Sequence, residues 1–369
     1  MEEKKQEKAV FSVWLFLCYF FLSQVAYAQD SLRYIPANDL VLLGKPKPTK
    51  EIFQRIQSRE SNLMPQAVQD LALNSAGIAV VFETNSSILA AKWTLAEDKY
   101  FANMTPIAHS GLDLYCLKDG KWQYVGVGKP AKDMLNQKQI IISRMDTTTK
   151  QFMLYLPLYN TVSELQIGIE PKSSIGRPKQ PGIDTTKRVV IYGSSIVQGA
   201  SASRPAMAYP AIIQRKLGID VINLGFSGSA KMEMALAKYL ATVSADCYIL
   251  DCIPNQTVAQ INERALPFIK YLKSQHPKTP IILIESVIRE TGYFDQQTGR
   301  HVKKQNESIH RVYQLLKEEK YNNIFYIPAA HLTGNDHEAM IDGTHLTDLG
   351  FTRMAEVVNR VLEQAIKKQ

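Results

Sequence analysis

Val189-Val190-Ile191-Tyr192-Gly193-Ser194-Ser195-Ile196 is an unbroken apolar run that closes on a glycine and two serines. Apolar residues at every position, rather than at alternate ones, are the mark of a strand buried on both faces inside a parallel sheet. The Gly-Ser-Ser that ends the run delivers a serine into the loop beyond. Far downstream, Asp342-Gly343-Thr344-His345 stands just before a terminal helical pattern. A serine, an aspartate and a histidine in that order can supply the nucleophile, the orienting acid and the base of acyl transfer.

Working outward from the first strand, the rest of the C-terminal half alternates. Strand-like runs at Arg188–Tyr192, Asp220–Leu224, Cys247–Cys252, Ile281–Glu285 and Ile324–Ile327 are separated by helical patterns. Those patterns lie at Ala206–Leu217, Lys231–Thr242, Val258–Gln275 and Gln305–Lys320, and the last runs from Leu349 to the end. Alternation of this kind predicts an α/β domain with a parallel sheet covered by helices on both faces. Ligands of such sheets bind outside the carboxyl ends of the strands, so the loops after the strands are where chemistry is expected.

The N-terminal half reads differently. Gly77–Glu83, Ile88–Leu95, Leu112–Leu117, Trp122–Val127, Gln139–Met145, Phe152–Leu158 and Leu165–Glu170 are short, rich in β-branched or aromatic residues, and separated by turn residues. Asp119-Gly120 between two of these runs is a hairpin signal, because glycine reaches positive φ without steric cost. Short strands without helices between them predict a β-sandwich of jelly-roll type. The expected organisation is a first domain over 29–171, a linker over 172–187 carrying Gly176, Pro178, Pro181 and Gly182, and an α/β domain over 188–369.

Residues 1–28 have the features of a cleavable signal peptide. Lys4, Lys5 and Lys8 precede the apolar stretch Phe11–Leu22, and Ala26-Tyr27-Ala28 fits the small-x-small cleavage pattern. That stretch is about 12 residues, short of the ~20 a membrane-spanning helix needs, so the expected product is exported, periplasmic or secreted, with no stable membrane span. Cleavage leaves Cys116, Cys247 and Cys252. Cys247 and Cys252 share one predicted strand, roughly 17 Å apart at ~3.3 Å per residue, beyond the ~7 Å a disulfide spans. Free thiols are expected, and no Cys/His spacing resembles a zinc site.

Composition narrows the function classes. Of the 369 residues, 45% are hydrophobic and 21% charged, with a net charge of +8, as in an ordinary globular protein. The basic residues are scattered among acidic ones with no dense tract interleaved with aromatics, which argues against nucleic-acid binding.

The candidate chemistry sits where the topology places it. Ser194 and Ser195 follow the first α/β strand, and Asn223-Leu224-Gly225-Phe226-Ser227-Gly228 follows the second. Asp251 to Asn255 closes the third, and Asp342 and His345 precede the last helix. A serine hydroxyl is a weak nucleophile until an imidazole takes its proton, and the imidazole needs a carboxylate to fix its tautomer. The tetrahedral intermediate needs donors where its oxyanion develops, a role that suits the Gly228 backbone and the Asn255 amide. Rival readings remain at this stage. Ser194 or Ser195 can simply cap a helix, His331 and His337 compete as bases, and Asp251 reads as a structural carboxylate. Trp93, Trp122 and Tyr115 can stack on sugars or fill a core.

These blocks resemble the SGNH or GDSL hydrolase family, named for a Ser, a Gly, an Asn and a His in four separated blocks. The resemblance places the nucleophile at Ser195 within Gly193-Ser194-Ser195-Ile196, the second-block glycine at Gly228, the third-block asparagine at Asn255, and the Asp-x-x-His block at Asp342 and His345. Ser194 stands where the family has aspartate, and Ile253-Pro254-Asn255-Gln256 departs from the usual Gly-x-Asn-Asp. In the first half, Gly111-Leu112-Asp113-Leu114-Tyr115 resembles the GxDLY motif of a domain that precedes some SGNH-type esterases. Asn74-Ser75-Ala76-Gly77 and Lys121–Gly128 are similar to that domain too.

The resemblance implies a three-layer α/β/α, flavodoxin-like SGNH hydrolase domain behind a β-sandwich. It implies a serine esterase that removes short acyl groups, acetyl foremost, from carbohydrate, with Ser195, His345 and Asp342 as triad and Gly228 and Asn255 in the oxyanion hole. No metal or organic cofactor is required, and the partner is an acylated carbohydrate or another small ester. A lipid or lysophospholipid esterase is the alternative within the family, and a glycan-binding protein with a silent hydrolase domain the alternative outside it. Every candidate residue falls C-terminal to the linker, so a chain from about Gly182 onward is expected to keep the whole constellation.

Overall fold

The computed structural model describes residues 31–367, so the predicted signal peptide lies outside the described residues. The first half forms ten strands: β1 (Arg33–Pro36), β2 (Val41–Leu43), β3 (Ala79–Thr84), β4 (Leu89–Leu95), β5 (Leu112–Lys118), β6 (Lys121–Gly128), β7 (Asn136–Ile142), β8 (Lys150–Tyr155), β9 (Val162–Ile169) and β10 (Ile175–Gly176). They make two antiparallel sheets, ordered β1-β9-β4-β7 and β10-β3-β8-β5-β6, with β2 also on β3. The Asp119-Gly120 turn joins β5 to β6, with Lys118 opposite Lys121 and both turn residues at positive φ, 50° and 73°. That is the backbone a two-residue hairpin of native twist requires.

Strand periodicity explains the sandwich core. Leu89, Ala91, Trp93 and Leu95 alternate inward along β4 and meet Leu165 and Ile167 of β9, with Val80, Phe82, Phe152 and Leu154 from the opposite sheet. β3 and β8 are apolar on their other face too. There Ala79, Val81, Met153 and Tyr155 pack with Ala206 and Ala211 of the second half. Burial on both faces is why these two strands read as continuous apolar runs, and it docks the sandwich on the α/β domain.

That domain contains β11 (Asp184–Gly193), β12 (Ile219–Gly225), β13 (Cys247–Asp251), β14 (Ile281–Ile284) and β15 (Ile324–Ile327), all parallel in the order β12-β11-β13-β14-β15. This is the flavodoxin-like order, whose switch point lies beside the first strand. Helices α1 (Tyr209–Leu217) and α5 (Asp348–Lys367) cover one face over Val189 and Ile191. Helices α2 (Met234–Leu240), α3 (Val258–Gln275) and α4 (Gln296–Glu318) cover the other over Val190 and Tyr192.

The two halves share cores. Ile56, Met64, Val68 and Ala72 extend the α2–α4 side, while Ala76, Met104, Ala108, Leu158 and Tyr159 extend the α1–α5 side. Residues 172–187, expected as a linker, contain β10 and the start of β11. α4 begins earlier than its apolar pattern, because its first turns are polar and exposed and Asp295 caps them by accepting from the Gln297 N–H at 2.9 Å. Cys116, Cys247 and Cys252 are free thiols. Among the described residues no helix is long and apolar enough to cross a membrane.

Candidate active site

Gly193 at the end of β11 is level with Gly225 of β12 and Asp251 of β13. The loops after these three strands therefore open at one height beside the switch point. The adjacent serines separate here. Ser194 is fully buried, and its Oγ accepts from the Ile196 N–H at 3.3 Å, capping the short helix Ser195–Gln198. Ser195 is half-buried, with its Oγ 3.0 Å from Nε2 of His345.

Nδ1 of His345 lies 2.8 Å from Oδ2 of Asp342. The other oxygen, Oδ1, accepts from the backbone N–H of Thr344 at 3.0 Å and of His345 at 2.8 Å. Oδ2 also accepts from Nδ2 of Asn103, at 3.0 Å. Partial burial works against the Asp342 charge, but the donors from His345 and Asn103 outweigh it and pull the carboxyl down to about 2. With Asp342 ionised, Nδ1 of a neutral imidazole is the donating nitrogen, which leaves Nε2 as acceptor for the Ser195 proton.

The second-block loop is pinned on three sides. Phe226 O accepts from the Ser229 and Ala230 N–H groups at 2.9 and 3.1 Å and from Nδ2 of Asn255 at 3.2 Å. The Ser227 N–H donates to Oε1 of Gln198 at 3.0 Å. Gly225 O accepts from Nη1 of Arg55 at 2.7 Å, and that guanidinium lies 5.0 Å from the centre of the Phe226 ring. Held this way, Gly228 takes φ +68° at an exposed position where an added Cβ would meet nothing within 4 Å. Glycine is used here for its backbone conformation, not for space. As the first residue of its helix, Ser195 has an N–H with no acceptor inside the helix.

The nitrogen that faces Ser195 Oγ belongs to His345 rather than to a rival histidine. His337 Nδ1 pairs with Glu290 at 2.9 Å, and His331 ends an exposed 3-10 turn. Asp251 is fully buried below the site, where burial pushes its carboxyl up to about 8 against the donor from Tyr209 at 3.0 Å. Trp93 and Tyr115 are buried, and Trp122 donates to Gly182 O at 3.3 Å.

Two buried charges in the first half tie it to the site. Asp113, from the Gly-Leu-Asp-Leu-Tyr motif, accepts from Nη1 of Arg204 at 3.1 and 2.8 Å and from the Ala206 N–H at 3.0 Å. Burial disfavours the Arg204 charge, but Asp113 and Tyr115 outweigh it and hold the guanidinium above its ordinary value. Arg55, wholly buried, donates to the carbonyls of Asn74, Asn223, Gly225 and Leu71. With no carboxylate among those partners, burial draws it down to about 9. Sequence reading missed Arg55, Asn103 and Gln198. Each is an ordinary polar residue without motif or period, and its role exists only once distant segments meet. Through Asn103 the first domain reaches the carboxylate of a triad whose own residues all lie C-terminal to the expected linker.

A serine, an imidazole and a carboxylate in hydrogen-bonded series at the mouth of an α/β sheet define a serine-hydrolase type of site. Residues 186–363 match the GDSL-like lipase/acylhydrolase family, and residues 32–175 match the GxDLY N-terminus of SGNH-hydrolase-type esterases. A crystal structure from Bacteroides ovatus, described as a GDSL-like lipase, is 42% identical, with 91% of this chain and 98% of that one aligned at a TM-score of 0.87. The chain belongs to the GDSL-like lipase/acylhydrolase family, a family of ester hydrolases.

Two more distant structures share the fold. The salicylyl-acyltransferase SsfX3 of a tetracycline biosynthetic pathway is 17% identical at a TM-score of 0.73, covering 90% of this chain and 97% of that one. A family two carbohydrate esterase from Cellvibrio japonicus is 14% identical at 0.58, covering 91% and 98%. No match was found among the curated proteins.

Proposed function

We propose that this chain is an exported serine esterase that removes short acyl groups, acetyl foremost, from carbohydrate. The observation that carries the reading is the unbroken series Ser195 Oγ–His345 Nε2 at 3.0 Å and His345 Nδ1–Asp342 Oδ2 at 2.8 Å. Ser195 attacks the ester carbonyl as His345 takes its proton, and the imidazolium is stabilised by Asp342. The oxyanion is met by the N–H groups of Ser195 and Gly228 and by the Asn255 amide. His345 then returns the proton to the leaving sugar oxygen, giving an acyl-enzyme. Water, deprotonated by the same imidazole, releases the acid and regenerates Ser195.

The carbohydrate assignment draws on the fold shared with the Cellvibrio japonicus carbohydrate esterase, and export on the charged, apolar and small-residue segments of 1–28. The test is a panel of chromogenic acetate, butyrate and long-chain esters together with an acetylated polysaccharide. The reading expects the highest kcat/KM on acetate and acid release from the polysaccharide. A preference for long chains would move the protein to the lipid esterases, and inactivity on every ester would reject the hydrolase reading.

A further inference from the structure

Asn103 and Asp342 are 239 residues apart, in different domains, yet joined by a 3.0 Å hydrogen bond. The oxygen involved, Oδ2, is the one that faces the His345 ring. The amide can present only its NH₂ there, since the flipped orientation would set a carbonyl oxygen against a carboxylate. Oδ1 has two backbone donors from its own turn. On Oδ2 the imidazole and Asn103 are the partners, so Asn103 is the donor that adds to the turn's own hold on the carboxylate at the oxygen facing the ring.

The segment bearing Asn103 is anchored on both sides. Phe101 packs against His109 and Tyr159, with ring centres 5.4 and 5.2 Å apart. Met104 enters the core on the α1–α5 side of the sheet. Thr105 Oγ1 donates to Ser203 O at 2.6 Å, and the Ser203 N–H donates to Oδ1 of Asp348 at 2.9 Å. Ser203 and Arg204 lie on the loop that follows the Ser195 helix. Arg204 is held by Asp113 of the first domain, so the loop that receives Thr105 is itself tied to that domain.

We propose that Asn103 is a positioning residue of the triad, so that the first domain completes the active site by holding Asp342 in register with His345; the inference rests on the triad reading above. An uncharged donor on Oδ2 does two things. It restricts the carboxylate rotamer, and it draws negative charge away from the imidazole. Without it the ring is less well aligned and holds its proton more tightly, so the acid limb of the rate profile moves to higher pH.

The test uses the full chain, a short acetate ester, and the variants Asn103→Ala and Asn103→Asp beside Ser195→Ala and His345→Ala. Asn103→Ala is expected to lower kcat about 10- to 100-fold, the scale of a misplaced catalytic group, with KM nearly unchanged and the acid limb moved upward. Asn103→Asp keeps the shape but sets a second carboxylate beside the ring, and should move the limb further, by about one pH unit or more. If both Asn103 variants keep the wild-type kcat and pH profile while Ser195→Ala and His345→Ala are inactive, Asn103 is structural and the proposal is wrong. If Ser195→Ala and His345→Ala stay active, the triad reading itself fails.

Discussion

Arg204, on the loop after the Ser195 helix, is bound by both carboxylate oxygens of Asp113 at 3.1 and 2.8 Å, across the boundary between the two domains. Asp113 is entirely buried and Arg204 is about one-fifth exposed. The Asp and Tyr of the GxDLY motif are thus contacts to the hydrolase domain. Removing Arg204 leaves a buried carboxylate with the Ala206 N–H as its hydrogen-bond donor and the charge of Arg215 nearby. Breaking a buried pair on one side costs about 3–5 kcal/mol, and the lower end applies here because Arg204 is partly solvated. Urea unfolding of Arg204→Ala should show that loss, and an unchanged midpoint would show that apolar packing alone docks the domains.

The two serines of the first block should part cleanly. Ser195→Ala removes the proposed nucleophile, a loss of up to ~10⁶ in kcat in other serine hydrolases. Ser194→Ala removes only a cap to the Ile196 N–H, worth about 1 kcal/mol, and most of the activity should survive with a lowered Tm. Steady-state kinetics and thermal melts of the pair read both quantities.

Asn255 has two tasks to lose. Its amide holds Phe226 O at 3.2 Å and is the proposed side-chain donor to the oxyanion. Asn255→Ala should lower kcat by ~10²–10³ with little change in KM, since the donor acts mainly in the transition state. A change confined to KM would mean that the residue shapes the cleft and nothing more.

Burial sets a pH dependence that has no part in the reaction. Asp251 titrates near 8 in the fold against an ordinary value of 3.8. An acid raised by folding favours the native state while protonated, so that advantage is complete below about pH 4 and is lost as pH rises through about 8. Stability should therefore fall across that window by up to about 1.4 kcal/mol per pH unit. Asp251→Asn, still able to accept from Tyr209, should flatten the slope. Unfolding titrations of both proteins at pH 5, 6.5 and 8 would check this, and parallel slopes would contradict it.

What the chain disclosed in advance follows from how local each signal is. The strand Val189–Tyr192, the alternation after it and the Asp119-Gly120 hairpin are written in neighbouring residues, and the sheet order and turn match them. β1, β2 and β10 are only two to four residues long and carry no period to read. The candidate site residues could be offered from sequence because their blocks are short and local, Ser195, Gly228 and Asn255 just after strands and Asp342 with His345 just before the last helix. Asn103, Arg55 and Gln198 were not, since their partners lie far away along the chain: 239 residues for Asn103–Asp342 and 170 for Arg55–Gly225. The shared cores were equally hidden, because Met64 or Leu158 reads as apolar whichever domain it packs against.

The central claim is that Ser195 becomes acylated with His345 as its base, and covalent trapping tests it most directly. The full chain would be treated with an organophosphorus fluoridate or a slowly deacylating ester, digested and sequenced by mass spectrometry. The account predicts a single adduct on Ser195, formed in step with loss of esterase activity and absent from His345→Ala. An adduct on Ser194, or full inactivation with Ser195 unmodified, would contradict it.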